Sequence, residues 1–305
     1  MPVGSRIPEA RRQRVLRWIC AGVAVSLLTA ACDERTADSL PQSNEDAMLP
    51  VVVAHRGGAA YAPENTLAAI RIALRDGVAG VEFDVRLSSD GVPVLMHDDD
   101  LERTTNGRGK VSDHTLDELG QLNAGSWFGD DFSGEPVPSL EDVLSLVEGK
   151  CELYVEIKGG EHEHPGITTA VLDAIDRHSA ESWCRIMSFH NTSLEIVRRQ
   201  APNMKTTKLM VGRIPWTSIH IDHGLRSSFP SPEGGVDAVG INHHLASQSK
   251  VRELHDRGLD VFIWTPNTEG EIAAAIGTGA DAIITDAPRL ARSLISSNVP
   301  AQPAF

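Results

Sequence analysis

The sequence predicts an α/β protein, a (β/α)8 TIM barrel with an extra antiparallel hairpin arm after its second strand. Three observations carry that expectation. Eight short β-rich runs recur between residues 51 and 285, with helical patterns between them. Ionisable residues gather at the C-terminal ends of several of these runs, where barrels of this type carry their chemistry. The Gly-rich phosphate loop of the competing architecture, an open doubly wound sheet, is absent.

The chain has 305 residues, 41% hydrophobic and 5% aromatic, enough for one large core. Residues 1–31 stand apart from it. Arg11, Arg12, Arg14 and Arg17 precede the apolar run Trp18–Ala31, which is short for a membrane span and reads as a secretory signal peptide. Leu28-Thr29-Ala30-Ala31-Cys32 resembles a bacterial lipobox, which implies cleavage before Cys32 and lipid attachment to it. Residues 32–49 are polar and read as a disordered tether. The barrel domain is expected over residues 50–298, with 299–305 as a tail. The expected location is therefore exported, as a membrane-anchored lipoprotein facing the periplasm or the cell exterior.

Within the domain, Val51–Gly57 reads as a strand buried on both faces. Asn65-Thr66 caps a helix that buries Leu67, Ile70 and Leu74 and stops at Gly77. The remaining barrel strands are expected at Gly80–Leu87, Glu152–Lys158, Arg185–Phe189, Thr206–Val211, Ala238–Asn242, Val261–Thr265 and Ala282–Thr285. Ser139-x-x-Asp142, Thr192-x-x-Glu195 and Thr268-x-x-Glu271 read as capping boxes that open helices. Val92–Asp98 follows the second strand after only four residues, too few for a parallel crossover, so it pairs antiparallel as an arm. With the turn centred between Ser89 and Asp90, His97 would face Glu82 and Leu95 would face Asp84. Two long excursions, residues 99–138 and 212–236, are placed to shape a site.

Residues 1–31 carry a net +4 (five Arg, one Glu), so of the formal −14 the rest of the chain accounts for −18. Such a surface argues against nucleic acid and against electrostatic docking to anionic lipid. The acidity has a local focus. Glu82, Asp84 and Glu156 would bring three carboxylates to the barrel mouth, which is unfavourable unless a cation neutralises them. Oxygen ligands alone suit Ca2+ or Mg2+ rather than zinc. His55 and His97 then remain free to move protons, and Arg56 and Lys158 to hold an anion. Cation, paired imidazoles and basic groups together point to phosphoryl transfer. Two cysteines remain in the domain, Cys151 and Cys184, five residues before Glu156 and Phe189 at the C-terminal ends of two expected strands. In an exported protein this predicts a disulfide between them.

His55-Arg56-Gly57, Pro63-Glu64-Asn65-Thr66, Val81-Glu82-Phe83-Asp84-Val85, His97-Asp98 with Leu101 and Arg103-Thr104-Thr105, and Glu156-Ile157-Lys158 resemble, in order and spacing, the glycerophosphodiester phosphodiesterase family. Trp264-Thr265-Pro266-Asn267 and Thr285-Asp286-Ala287-Pro288 resemble its late motifs. The resemblance implies hydrolysis of glycerophosphodiesters to an alcohol and sn-glycerol 3-phosphate. It implies His55 and His97 as the acid–base pair and Glu82, Asp84 and Glu156 as metal ligands. It also implies Arg56 and Lys158 at the phosphate and Trp264 at the glycerol. Two rivals stay open: a lysophospholipase D or sphingomyelinase D type of lipid phosphodiesterase, and an exported lipoprotein that binds glycerophosphodiesters without cleaving them. The histidine-rich segments Glu161-His162-Glu163-His164, His220-Ile221-Asp222-His223 and His243-His244 are expected to be solvated surface.

Overall fold

A computed structural model describes residues 49–210 and 235–297; the signal-peptide, lipobox and tether expectations, and most of the second excursion, lie outside the described residues. Eight parallel strands close on one another: β1 (Val51–Ala54), β2 (Gly80–Leu87), β4 (Glu152–Ile157), β5 (Cys184–Ser188), β6 (Lys205–Met210), β7 (Ala238–Asn242), β8 (Asp260–Trp264) and β9 (Ala282–Thr285). β1 pairs with both β9 and β2, which closes the barrel. β3 (Pro93–Leu95) lies outside the closed ring and pairs antiparallel with β2. The expected TIM barrel with a hairpin arm is the observed fold.

The helices α1 (Leu67–Asp76), α3 (Leu140–Val147), α5 (Ile167–Arg177), α6 (Asn191–Gln200), α7 (Gln248–His255), α8 (Glu269–Ile276) and α9 (Pro288–Ser297) connect or follow the barrel strands. The short α2 (Leu116–Gly120) and α4 (Gly160–Glu163) sit in the connections. α1 starts at Thr66, whose hydroxyl accepts from the Ala69 N–H, and ends at Gly77 in the left-handed region. The Ser139 and Thr268 capping boxes open α3 and α8 as expected. The Thr192 box does not form: α6 already starts at Asn191, so Thr192 lies inside its first turn.

Period-2 alternation explains why acids end up inside the barrel. On β2, Val81, Phe83 and Val85 are fully buried in the layer beneath the helices, and on β4 Leu153, Val155 and Ile157 do the same. Burying each such side chain contributes about 1.5–3 kcal/mol. The alternate positions, Glu82, Asp84 and Glu156, must then face the barrel axis. The register pairs Glu82 with Tyr154 and Asp84 with Glu156. Below the carboxylates the axis is filled by Val53, Tyr154, Met187, Leu209, Ala238, Phe262, Ala282 and Ile284. Gly80 makes room for one of these: a Cβ there would stand 2.6 Å from the Tyr154 ring.

Three further expectations are corrected. The first strand stops at Ala54 rather than running to Gly57; His55–Gly57 is a tight 3-10 turn with Arg56 and Gly57 at positive φ. The arm pairs Val85 with Leu95, Arg86 with Val94 and Leu87 with Pro93, one residue away from the expected register. Gly91 at φ 80° supplies an extra loop residue, and the Ser88 N–H closes the loop on the Val92 carbonyl. His97 therefore does not face Glu82 across a ladder; it follows the end of β3. Finally, Cys151 and Cys184 are free buried thiols, not a disulfide. β4 and β5 pair with Leu153 beside Cys184, so the two cysteines are staggered by two residues rather than level. Burial pushes both thiols up, Cys151 to about 11.

The excursion after β3 builds a small core of its own. Val94, Met96, Leu101, Val111, Leu119, Ala124 and Val137 are buried together. That cluster holds the start of the excursion, and with it His97, over the rim of β2.

Candidate active site

The site begins where β1 ends. Arg56 takes φ 51° and ψ 32°, a left-handed conformation that costs a non-glycine residue about 1–3 kcal/mol. The turn directs the Arg56 backbone N–H at Glu82 Oε2 (2.9 Å) and places Nε 3.2 Å from Asp84 Oδ2. The next residue can only be glycine: Gly57 has φ 85°, and a Cβ there would lie 2.6 Å from the Ala69 Cβ on α1. Asn65, also left-handed, clamps Asp84 from both sides. Its Nδ2 donates to Asp84 Oδ2 (2.9 Å) and its Oδ1 accepts from the Asp84 N–H (3.1 Å).

Glu82, Asp84 and Glu156 each offer an oxygen, and the three oxygens lie within 4.8 Å of one another. All three residues are buried. Lys158 places Nζ 3.0 Å from Asp84 Oδ1 and 2.7 Å from Glu156 Oε1. Burial opposes the charge on Asp84, but Lys158 and Arg56 outweigh it and hold this carboxyl well below its ordinary range. Glu82 is pushed up by burial and by its acidic neighbours, against the pull of His55. Burial also raises Glu156, although Lys158 opposes it. A buried set of carboxylates with unfavourable mutual charge is a donor set that fits a hard divalent cation.

The two histidines flank this cluster. His55 Nδ1 lies 2.6 Å from Asp286 Oδ1, and its Nε2 lies 3.8 Å from Glu82 Oε2. Asp286 follows β9 and is held by Asn267, whose Nδ2 donates to Oδ2 (2.5 Å) and whose Oδ1 accepts from the Asp286 N–H (2.9 Å). His97 Nδ1 lies 2.7 Å from Asp98 Oδ1, and the His97 carbonyl accepts from Arg86 Nε (3.0 Å). In each ring the aspartate engages Nδ1 and leaves Nε2 for a reacting group. Burial lowers the His55 pKa, but Glu82 and Asp286 outweigh it, so His55 is raised. His97 is lowered, by burial and by Lys158 and Arg56, against Asp84.

These groups line one cavity of about 190 Å3 with two unlike walls. His55, Arg56, Glu82, His97, Glu156 and Lys158 form the charged wall; Met187, Phe189, Leu209, Trp264 and Ile284 form the apolar one. Trp264 and Phe189 meet edge to face, with ring centroids 5.7 Å apart. Every residue expected at the substrate, His55, His97, Arg56, Lys158 and Trp264, lines this cavity, as do Glu82 and Glu156; Asp84 lies buried behind them.

Asp98, Asp286, Asn267 and Glu64 have no role in the sequence-based expectation, and Asn65 is expected there only as a helix cap. Both Asp98 and Glu64 sit inside motifs of the family resemblance, Asp98 beside His97. Asn267 and Asp286 lie in the two late motifs, just after the adjacent strands β8 and β9, and that adjacency is the signal that pairs them. The histidine-rich segments split. His164 is buried rather than solvated, with Nε2 3.2 Å from Arg86 Nη1. His243 and His244 stack in a turn after β7. His220-Ile221-Asp222-His223 lies outside the described residues. Among the described residues, Glu82, Asp84 and Glu156 are the one group placed to hold a metal ion.

Comparison with known proteins meets the same site. The family model for the glycerophosphoryl diester phosphodiesterase family matches residues 55–290. A glycerophosphodiester phosphodiesterase of Caldanaerobacter subterraneus subsp. tengcongensis is 36% identical over 253 residues, covering 81% of this chain and 98% of the relative. Among solved structures, an Oleispira antarctica phosphodiesterase in complex with the product sn-glycerol-3-phosphate is 30% identical, with a TM-score of 0.70 over 81% of this chain and 97% of that one. A glycerophosphodiester phosphodiesterase of Agrobacterium tumefaciens is 26% identical, with a TM-score of 0.67 over 80% and 100%. The chain thus belongs to the glycerophosphoryl diester phosphodiesterase family and is an enzyme of that type.

Proposed function

We propose that this enzyme hydrolyses glycerophosphodiesters to an alcohol and sn-glycerol 3-phosphate, with a divalent metal ion and with His55 and His97 as the proton-transferring pair. The observation that carries the reading is the placement of two aspartate-backed imidazoles on one cavity, either side of three buried carboxylates. A protein that only bound its ligand would have no use for two oriented proton carriers. The Oleispira antarctica complex supports sn-glycerol 3-phosphate as the product.

Glu82, Asp84 and Glu156 would hold the ion, Ca2+ or Mg2+. When bound, it supplies positive charge against the charge that develops on phosphoryl oxygens. The phosphodiester enters between Arg56 and Lys158, which draw its non-bridging oxygens to the charged wall. The glycerol moiety rests on Trp264 and Phe189. One imidazole accepts a proton through Nε2 from the nucleophile, either the glycerol 2-hydroxyl or water; the other returns a proton to the leaving alkoxide. Attack by the 2-hydroxyl passes through a cyclic phosphate, which 31P NMR of a single turnover would reveal.

Hydrolysis of glycerophosphocholine, glycerophosphoethanolamine and lysophosphatidylcholine, with and without Ca2+ and Mg2+, tests the reading. Turnover of the first two that vanishes on exhaustive chelation and returns with added metal is expected. Turnover confined to lysophosphatidylcholine would favour the lipid phosphodiesterase instead, and activity that survives chelation would refute the metal site. We further propose that Cys32 carries a lipid that anchors the exported enzyme to a membrane, as its lipobox-like context suggests. Cys32→Ala should then move the protein from the membrane fraction to the soluble fraction without changing kcat.

A further inference from the structure

Behind the two imidazoles, the supporting carboxylates are held by different means. Asp286 is fixed by an amide, Asn267, at the rim of the barrel itself. Asp98 lies beyond the end of β3, and its partner is an arginine. Arg103 Nε donates to Asp98 Oδ2. The same guanidinium turns its other edge to Glu64, with Nη1 2.8 Å from Oε2 and Nη2 2.8 Å from Oε1. Glu64 Oε1 in turn accepts from Arg56 Nη1 at 2.8 Å. One planar cation therefore joins two carboxylates, one of which holds His97 and the other Arg56.

Arg103 does not line the cavity, and its side chain is 45% exposed. What fixes it is its turn. Leu101 is fully buried in the core of the excursion, and its carbonyl accepts from both the Thr105 N–H (3.1 Å) and the Thr105 hydroxyl (2.7 Å). An exposed ion pair adds little to stability. A bidentate fork that also reaches a second carboxylate nevertheless sets the geometry of everything attached to it.

We propose that Arg103 is a positioning residue for the reaction: by bridging Asp98 and Glu64 it sets the His97 imidazole and the Arg56 guanidinium relative to each other. The proposal rests on the reading of His97 and Arg56 given above. Without the bridge, Asp98 is free to rotate away from Nδ1, the His97 tautomer is no longer specified, and Glu64, still bonded to Arg56, loses the fork that fixes its carboxylate.

The test compares Arg103→Met and Arg103→Lys in the full chain. Activity is measured on glycerophosphocholine, product affinity with sn-glycerol 3-phosphate, and the histidine tautomers by 15N NMR, with His97 assigned from its loss in His97→Asn. For Arg103→Met, kcat should fall by about 10- to 100-fold, the scale of a small misplacement of reacting groups. KM and the product Kd should rise through Arg56, and the His97 signal should shift from the Nδ1-protonated form towards a tautomer mixture. The thermal midpoint should stay within a few degrees. Arg103→Lys should restore only part of kcat, because an ammonium cannot hold both oxygens of Glu64 and also Asp98. An unchanged His97 tautomer in Arg103→Met, or full rescue by lysine, would overturn the proposal. The tautomer is read without substrate, so it decides Arg103 even if no glycerophosphodiester is turned over, an outcome that would refute the reaction and not the bridge.

Discussion

The two histidine sites solve one problem with opposite materials. His55 stands at the end of a barrel strand, and its aspartate at the end of the neighbouring strand β9, so both are placed by hydrogen-bonded sheet. An amide from the next connection completes that side, and Asn267 is itself tied to Glu271 of the α8 capping box. His97 stands on irregular chain beyond a three-residue strand. The small core of the excursion seats this segment, and side-chain bonds then fix the residue, Arg86 at its carbonyl and Asp98 at its ring, backed by Arg103. The barrel half is built by backbone and the arm half by charge. A rigid sheet and a chain of ion pairs deliver the same feature, an imidazole that lines the cavity with its Nδ1 engaged by an aspartate.

The largest expected effects treat the halves alike. His55→Ala and His97→Ala should each lower kcat by about 10²–10⁴-fold, the range for loss of one proton-transfer group. Near-normal turnover in both variants would remove the pair from the reaction.

The next comparison separates them. Asp286→Asn and Asp98→Asn each offer an amide N–H to Nδ1 and so favour the wrong tautomer, with kcat falling by about 10²-fold or more. Because the sheet still fixes the His55 ring, Asp286→Asn should leave KM close to normal. Asp98→Asn should also raise KM, since Asp98 is linked through Arg103 and Glu64 to Arg56. Steady-state kinetics on both variants decides this; equal KM shifts would show that the halves are not built differently.

The smallest effect is in the pH profile. His55 is raised above its ordinary value, so it keeps its proton to higher pH and loses it on the alkaline side. His97 is lowered, so it becomes neutral already on the acid side. Between these two ionisations the pair carries one proton, as transfer at both ends of the reaction requires. The profile of kcat/KM should be a bell, with one limb on each side of the ordinary histidine value of about 6.5. Removing Asp286, a support of the raised His55, should draw the alkaline limb inward and leave the acid limb in place; movement of the acid limb alone would contradict the assignment.

Much of this architecture was legible from residue patterns. The runs around Val53, Phe83, Val155, Ile186, Val239 and Ile283 mark strands because burial on both faces demands apolar side chains, and caps such as Thr66 and Gly77 bound α1 by local hydrogen bonds. Glu82, Asp84 and Glu156 could be placed at the mouth because they break otherwise apolar strands with period 2. Less legible were features in which one residue changes a register or a distant segment supplies a partner. A single left-handed Gly91 moves the arm by one residue, and a two-residue stagger separates Cys151 from Cys184.

Local sterics, capping and burial are short-range, so the sequence alone determined the strand–helix units, their number and the residues bearing charge at the rim. Closure of the barrel decided the rest. It brings Asp286 to His55 across 231 residues of chain, sets Asn65 on Asp84, and lets Arg103 on the excursion reach Glu64. Those contacts follow from how the elements pack on one another, and no stretch of chain short enough to read by pattern contains both partners and the packing that joins them.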